Sequence, residues 1–93
     1  MSLVTLYTKQ DCPYSQAART LLRDQGIEFE DIDVTEDTSL FAKMVERSGG
    51  HATTPQIFIA GRHIGGFADL ARFQQKGGLV SLSSTQPEVP SPS

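Results

Sequence analysis

The stretch LVTLYTKQDCPYSQAARTLLRDQG, residues 3–26, predicts a strand, a short turn and a helix in direct succession. Leu3–Tyr7 is rich in the β-branched and aromatic residues that strands favour. Pro13–Gln25 has the apolar periodicity of a helix. Four apolar residues share its predicted inner face: Ala17, Ala18, Leu21 and Leu22. Gly26 can adopt the left-handed conformation that ends a helix. Cys12 therefore lies where the strand has ended and the helix begins.

Cys12 is the only cysteine of the chain. Pro13 suits the first helical position, where a missing N–H costs little. Cys12 then lies at or next to the N-cap, where free amides and the helix dipole favour a thiolate. Lys9 can add positive charge. A lone cysteine is more often a small buried hydrophobic residue, but Asp11 and Pro13 flank this one in place of apolar residues. We therefore predict a reactive thiol with a lowered pKa.

Length and composition exclude several classes of protein. With 93 residues, 38% of them hydrophobic, the chain can build one modest domain. A net charge of −3 argues against a general nucleic-acid-binding protein. No apolar run approaches the length of a membrane span, and no signal peptide is visible at the N-terminus. A single cysteine cannot form an internal disulfide, which is compatible with a reducing cytoplasm.

The remaining chain predicts two more helices and three more strands. In order these are a strand at Glu28–Val34, a helix capped by Thr35 with Glu36 and Asp37 in its first turn, a strand at Gln56–Ala60, a tight turn at Gly61-Arg62, a returning strand from His63-Ile64, and a helix at Ala68–Gln75. The Ser/Pro-rich residues 83–93 predict a disordered tail behind a domain of residues 1–82. The order β-α-β-α-β-β-α predicts an α/β, thioredoxin-like fold: a four-stranded mixed sheet with three helices on its two faces.

The chain resembles the glutaredoxin family from residue 3 to about residue 80. Four segments carry the resemblance, in order and at the family's spacing: Tyr7-Thr8-Lys9-Gln10-Asp11-Cys12-Pro13-Tyr14-Ser15, Thr54-Pro55-Gln56-Ile57-Phe58-Ile59, His63-Ile64-Gly65-Gly66-Phe67-Ala68-Asp69-Leu70 and Gly77-Gly78-Leu79. A Cys-x-x-Ser sequence alone is a weak signal, whereas these segments on the predicted element order are a strong one.

The resemblance implies a glutathione-dependent thiol–disulfide oxidoreductase that uses glutathione as co-substrate. Cys12 is the implied nucleophile, acting on glutathionylated proteins or small mixed disulfides. The residues implied to bind glutathione are Lys9, Tyr14, Thr54, Pro55 (in cis), Gly66, Phe67, Ala68 and Asp69. Arg47, His51 and Gln56 are lesser candidates for the distant carboxylate of glutathione. We expect a monomer with no metal, nucleic-acid or membrane partner.

The chain departs from the family pattern at three positions. The common active site is Cys-Pro-Tyr-Cys, whereas Ser15 replaces the second cysteine here. Either this is a natural monothiol form, or Ser15 is an engineered replacement that traps a mixed disulfide. Both explanations remove the resolving thiol and leave monothiol chemistry possible. Thr54 stands where the family often has Val, and Ala68 where it often has a polar residue.

Several of these residues also have ordinary structural interpretations. Asp69 suits a helix cap, Ser15 a local cap in the first helical turn, and Phe67 a core position. His51 and His63 show no pairing that indicates a metal site. Two other functions remain open: a carrier dimer that holds a [2Fe–2S] cluster with glutathione ligands, and a non-catalytic glutathione-binding module. Pro13 and the absence of a Gly-Phe-Ser sequence after the cysteine disfavour the carrier.

Overall fold

A computed structural model describes residues 3–80, which form four strands and three helices. The elements are β1 (Val4–Thr8), α1 (Pro13–Asp24), β2 (Phe29–Asp33), α2 (Thr38–Arg47), β3 (Gln56–Ile59), β4 (Arg62–Gly65) and α3 (Phe67–Gln75). The predicted element order and α/β class are confirmed. Residues 83–93, predicted to be a disordered tail, lie outside the described residues, so the predicted boundary after residue 82 stays a prediction. No helix within residues 3–80 is long and apolar enough to cross a membrane.

The sheet has the strand order β2-β1-β3-β4. β1 pairs in parallel with β2, from Val4 opposite Phe29 onward, and antiparallel with β3, where Tyr7 lies opposite Gln56. β3 and β4 form an antiparallel hairpin with an irregularity in register between Ile57 and Phe58. The mixed sheet that the element order predicts is therefore confirmed, and β1 is one of its two central strands.

The helices cover both faces of the sheet and produce two apolar cores. Because side chains alternate along a strand, β1 contributes to both cores. The larger core, on the side of α1 and α3, contains Val4, Leu6, Ala18, Leu22, Ile27, Ile57, Ile59, Leu70 and Leu79. The smaller core, on the side of α2, contains Tyr7, Val34, Met44 and Phe58. Since α1 and α3 share a face, their N-terminal ends can contribute to one site.

The predicted cap of α2 is wrong by two residues. Asp37, not Thr35, is the N-cap: its carboxylate accepts the Leu40 N–H at 2.9 Å. Thr35 is occupied elsewhere, because its hydroxyl oxygen accepts the Gln10 N–H at 2.9 Å. Glu36 and Asp37 consequently precede the helix, and its first turn carries no acidic residue.

The hairpin turn also differs from the prediction. It comprises Ala60 and Gly61, with φ values of 52° and 83°, so that β4 begins at Arg62. Positive φ at both central residues gives the twist that a two-residue hairpin requires. The other boundaries differ by one residue: β1 runs over Val4–Thr8, α1 ends at Asp24, β2 is Phe29–Asp33, β3 ends at Ile59, and α3 starts at Phe67. The sequence specifies the first and last residues of a helix or strand only weakly, which explains these one-residue differences.

A charged network joins α1 to the strands beneath it. Arg19 is 8% exposed, and its Nε lies 2.6 Å from Asp31 Oδ2. The other carboxylate oxygen, Oδ1, accepts the hydroxyl of buried Thr8 at 2.5 Å. The network joins α1, β1 and β2, and the guanidinium depends on Asp31 because a buried unpaired charge is costly.

We predict that Asp31→Asn lowers the free energy of unfolding by about 1–3 kcal/mol, since it removes the charge that faces Arg19 while keeping the side-chain volume. The matched control is Glu30→Gln, a similar neutralisation at an exposed position of the same strand. Urea denaturation followed by circular dichroism measures both variants. An equal, small loss in the two would contradict the structural role of the ion pair.

Candidate active site

Cys12 is the N-cap of α1, as the sequence predicts. Its backbone is extended, with φ −96° and ψ 114°, and Pro13 occupies the first helical position. The residue is partly exposed, and its Sγ lies 3.3 Å from the carbonyl oxygen of Thr54, to which the neutral thiol donates. The thiol is thus accessible from solvent and fixed between α1 and the segment before β3.

The surroundings of Cys12 lower its pKa. Burial raises the pKa of the thiol, but this effect is outweighed by hydrogen bonds that stabilise the thiolate. These come from the side chains of Ser15 and Thr54 and from the backbone amides of Ser15 and Tyr14. The amides belong to the first turn of α1, where backbone N–H groups lack partners within the helix. The side chain of Ser15 lowers the pKa of Cys12 most, followed by that of Thr54, and the amides at the helix N-terminus contribute less.

Ser15 lies fully buried beneath the thiol. Its Oγ accepts the backbone N–H of Lys9 at 3.3 Å, which ties the loop after β1 to the first turn of α1. The hydroxyl therefore bonds to an amide of the loop before α1, and not to an amide of the first helical turn as the local-cap interpretation requires. The side chain acts on the pKa of Cys12 as well, so that position 15 has both a structural and an electrostatic effect.

The Thr54-Pro55 peptide bond is cis, as predicted. The Thr54 carbonyl faces Cys12, and Pro55 is buried. A Cβ placed on Gly66 would lie 3.6 Å from the Pro55 carbonyl oxygen. The segment before β3 therefore lies between the N-terminal end of α1 and the N-terminal end of α3.

The start of α3 is capped by its own aspartate. Gly66 is the N-cap, and its N–H donates to Asp69 Oδ2 at 3.0 Å. The other oxygen, Oδ1, accepts from Arg72 one turn later. Gly65 has φ +126°, and a Cβ there would come within 2.3 Å of Asp69 Oδ2. The bond to the Gly66 N–H confirms that Asp69 caps α3. The close approach of the Asp69 side chain to the backbone at position 65 requires a glycine there.

Two aromatic side chains bridge the two helix ends. Tyr14 is 64% exposed, and its ring centroid lies 6.2 Å from that of Phe67. Phe67 is partly buried and packs against the larger core, which confirms its core interpretation, whereas its contact with glutathione stays a prediction. Ala68 follows it and is exposed. The aromatic pair forms one wall of the surface around Cys12.

Two candidate cations, Lys9 and Arg47, contact aromatic rings on the side of the smaller core. Lys9 places its Nζ 5.2 Å from the ring centroid of Phe41, a cation–π contact. Arg47 donates to the Tyr7 hydroxyl at 2.9 Å and lies 4.7 Å from the Phe58 ring centroid. Arg47 is thus held by the smaller core, whereas Lys9 remains exposed at the side of Cys12.

A polar pocket of about 230 Å³ adjoins the start of α3. It is lined by His51, Thr53, Gln56, His63, Gly65, Gly66 and Asp69. Sequence reasoning assigned no role to His63, yet its Nε2 lies 2.6 Å from Gln56 Oε1 inside this pocket. The HIGG sequence placed His63 near the glycine turn, but only the pairing of β3 with β4 brings it to Gln56. Across residues 3–80, no three His, Cys, Asp or Glu side chains are arranged to hold a metal ion.

Comparison with known proteins shows the family to which the chain belongs. The family model described as Glutaredoxin matches residues 4–64. Glutaredoxin 3 of Escherichia coli K12 is 40% identical over 82 residues, which cover 88% of this chain and 98% of the relative. A glutaredoxin of Neisseria meningitidis is 45% identical over 83 residues, 88% of this chain and 96% of the relative. The chain belongs to the glutaredoxin family.

Solved glutaredoxin structures have the same fold. The solution structure of the Brucella melitensis glutaredoxin is 43% identical, with a TM-score of 0.74 and coverage of 96% of both chains. A buckwheat glutaredoxin in complex with glutathione superimposes with a TM-score of 0.78 at 24% identity, covering 87% of this chain and 76% of that one. The glutaredoxins are thiol–disulfide oxidoreductases, and the predicted thioredoxin-like fold is confirmed.

We predict that Ser15→Ala raises the pKa of Cys12, because the hydroxyl that stabilises the thiolate is lost while the amides of α1 remain. The matched control is Ser39→Ala, the same change at an exposed position in the first turn of α2. Alkylation by iodoacetamide as a function of pH reports Cys12 alone, since the chain has one cysteine. An unchanged titration in Ser15→Ala would show that the serine hydroxyl does not act on the thiolate.

We predict that Gly65→Ala is more destabilising than Gly50→Ala. Both positions have positive φ, +126° and +105°, but only the Cβ at 65 meets Asp69. Backbone strain costs about 1–3 kcal/mol at either site, and the overlap at 65 adds about 1–3 kcal/mol. Urea denaturation measures the difference. Equal losses would mean that Asp69 moves away freely, contrary to its bonds with Gly66 and Arg72.

Proposed function

We propose that this glutaredoxin reduces glutathione mixed disulfides by a monothiol mechanism. The observation that carries the proposal is Cys12: the only cysteine of the chain, a partly exposed N-cap residue with a lowered pKa beside the cis-Pro55 segment. A thiolate is the attacking species in disulfide exchange, and a thiol of low pKa is also a good leaving group. Cys12 needs both properties, because it is the attacking thiolate in the first step of each cycle and the leaving group in the second.

The reaction consists of two exchanges. In the first, the Cys12 thiolate attacks the glutathione sulfur of a mixed disulfide; a Cys12–glutathione disulfide forms, and the substrate leaves as a thiolate that takes up a proton. In the second, the thiolate of another glutathione attacks the glutathione sulfur of that adduct. Oxidised glutathione leaves and the Cys12 thiolate is restored. The substrate thiol is thus released without a second protein thiol.

The surface around Cys12 supports an extended position for glutathione. The cysteine of glutathione pairs with the backbone at Thr54-Pro55, in the manner of an added strand. Its γ-glutamyl group lies at Gly66, Phe67, Ala68 and Asp69, where the free amides of α3 suit a carboxylate and Asp69 suits an amine. Lys9 faces the glycine carboxylate, and the exposed ring of Tyr14 covers the tripeptide. The buckwheat glutaredoxin complexed with glutathione supports the ligand by analogy of fold.

Asp69 can serve as a ligand while it caps α3. A carboxylate has about four lone-pair sites on its two oxygens, and the two bonds from Gly66 and Arg72 use one on each oxygen. A ligand amine can therefore bind without displacing the cap. The substrate of the reaction is a glutathionylated protein or a small mixed disulfide, acted on by a monomer in the cytoplasm.

The carrier of a glutathione-ligated [2Fe–2S] cluster remains the alternative. It requires a dimer, because each chain supplies one cysteine. Visible absorption and a dimeric mass in anaerobically purified protein would favour this alternative. A colourless monomer that turns over glutathione mixed disulfides would favour the proposed enzyme and would exclude a non-catalytic binding module.

We predict that oxidised glutathione converts the protein into a stable adduct with one glutathione on Cys12, and that Ser15→Cys shortens its lifetime. A thiol one helical turn away acts at an effective concentration of at least about 1 mM. With about 0.1 mM glutathione in solution, the lifetime should therefore fall about tenfold or more. Mass spectrometry after rapid acid quenching measures the adduct over time.

Two variants control this experiment. Cys12→Ser should form no adduct and should not turn over a small glutathione mixed disulfide. Ser39→Cys adds a second thiol at an exposed position outside the proposed site, and it should leave the lifetime of the Cys12 adduct unchanged. An adduct in Cys12→Ser, or the same lifetime in Ser15→Cys and the parent, would contradict the monothiol mechanism.

A further inference from the structure

A buried glutamine fixes the orientation of His63 in the polar pocket beside α3. Gln56 is 3% exposed. Its Nε2 donates to the Thr53 carbonyl at 3.0 Å and contacts the Thr53 hydroxyl at 3.2 Å. The carbonyl can only accept, so the amide nitrogen of Gln56 faces Thr53 and Oε1 faces His63. Nε2 of His63, 2.6 Å from Oε1, must then carry a proton. Any second proton on this imidazole goes to Nδ1.

The His63 ring also packs against a second imidazole. The His51 centroid lies 5.5 Å from it, and that of Phe58 lies 5.0 Å away. His51 is fixed through its backbone, because its N–H donates to Ser48 Oγ at 3.2 Å and its carbonyl accepts from the same hydroxyl at 3.0 Å. The two histidines of the chain therefore form one pair on the wall of the pocket.

The charged groups around this pair lie on α2, on β4, and on or just after α3. Burial lowers the pKa of His63, the nearby His51 lowers it further, and Asp69 on α3 opposes both effects. β3 contributes the uncharged Gln56 and Phe58. The other cations near His63 are Arg62, Arg72 and Lys76, which line the adjoining groove, and Arg47 of α2, which lies 4.7 Å from the Phe58 ring centroid. The free pocket thus has little negative charge besides Asp69, whose oxygens are already bonded to Gly66 and Arg72.

We propose that His63, oriented by Gln56 and paired with His51, completes the subsite for the γ-glutamyl α-carboxylate of glutathione, and that binding there is coupled to the uptake of a proton by this pair. The inference rests on the proposed function, because it assumes that the γ-glutamyl group lies at the start of α3. The pocket supports it, since Gly66, Asp69 and both imidazoles line the same space.

The direction of the coupling follows from charge. The α-carboxylate stays ionised and favours imidazolium, whereas the α-amine beside Asp69 has the opposite effect. Because the proposed subsite places the carboxylate at the imidazoles and the amine at Asp69, the ligand raises the pKa of His63, and by linkage the affinity increases as the pH falls through the pKa of the bound state. The gain ends below the pKa of the free state. A tenfold gain in affinity requires the ligand to raise the pKa of one imidazole by about one.

The test uses S-methylglutathione, which has no thiol and forms no disulfide with Cys12. Because the chain has two histidines, NMR resolves two imidazole Cε1–H signals, which His51→Gln and His63→Gln assign. We expect the probe to raise the pKa of at least one histidine and to bind about 3–10 times more tightly at pH 5.5 than at pH 7.5. His51→Gln/His63→Gln should lose this dependence, so that its affinity is the same at the two pH values.

Two controls make the result specific. S-methylated γ-aminobutyryl-cysteinyl-glycine keeps the amine but lacks the α-carboxylate, so it should raise neither pKa. Arg62→Gln removes a permanent charge next to His63 and should keep the pH dependence. A probe that shifts the backbone amides of residues 67–69 but leaves both pKa values unchanged overturns this inference and leaves the proposed function standing. A probe that leaves those amides unchanged overturns the proposed glutathione site and this inference together.

Discussion

The pairing of β1 with β3 is the constraint on which the site depends. The strands run antiparallel with Tyr7 opposite Gln56, so the end of β1 and the beginning of β3 meet at one edge of the sheet. The chain leaves β1 toward Cys12 and enters β3 from Thr54-Pro55, and these two segments therefore have to come together. The 3.3 Å contact between Cys12 Sγ and the Thr54 carbonyl follows from this register. The network of Thr8, Asp31 and Arg19 then holds α1 against the same end of β1.

Two helix N-termini meet at this edge, and they are satisfied in different ways. The first turn of α1 directs its amides at Cys12, where they stabilise a thiolate. The first turn of α3 is capped by Asp69, which neutralises part of its positive end. One helix end therefore favours the reacting sulfur, whereas the other presents both amides and a carboxylate. That combination suits a group with an anion and a cation on one carbon, which supports the proposed position of the γ-glutamyl residue of glutathione.

The sequence predicts those features that depend on local chemistry. The apolar periods of α1, the proline after Cys12 and the glycines after β4 place the elements and the thiol correctly. Predictions were wrong where a distant residue decides between local alternatives. Thr35 is a good cap by composition, but the Gln10 amide takes its hydroxyl, and Asp37 caps α2 instead. The contact of His63 with Gln56 depends on the pairing of β3 with β4, in which His63 lies opposite Phe58, and no spacing in the sequence indicates this contact.

The burial of position 15 explains why a serine there is compatible with the chemistry of Cys12. A thiol at this fully buried position would ionise less readily than Cys12, because desolvation raises its pKa. Cys12 would then be the attacking group with either residue at position 15. The serine hydroxyl still accepts the Lys9 amide and still stabilises the Cys12 thiolate. Serine in place of the family's second cysteine therefore leaves no internal resolving thiol, while its hydroxyl and the first-turn amides support the acidity of Cys12 that the proposed first exchange requires.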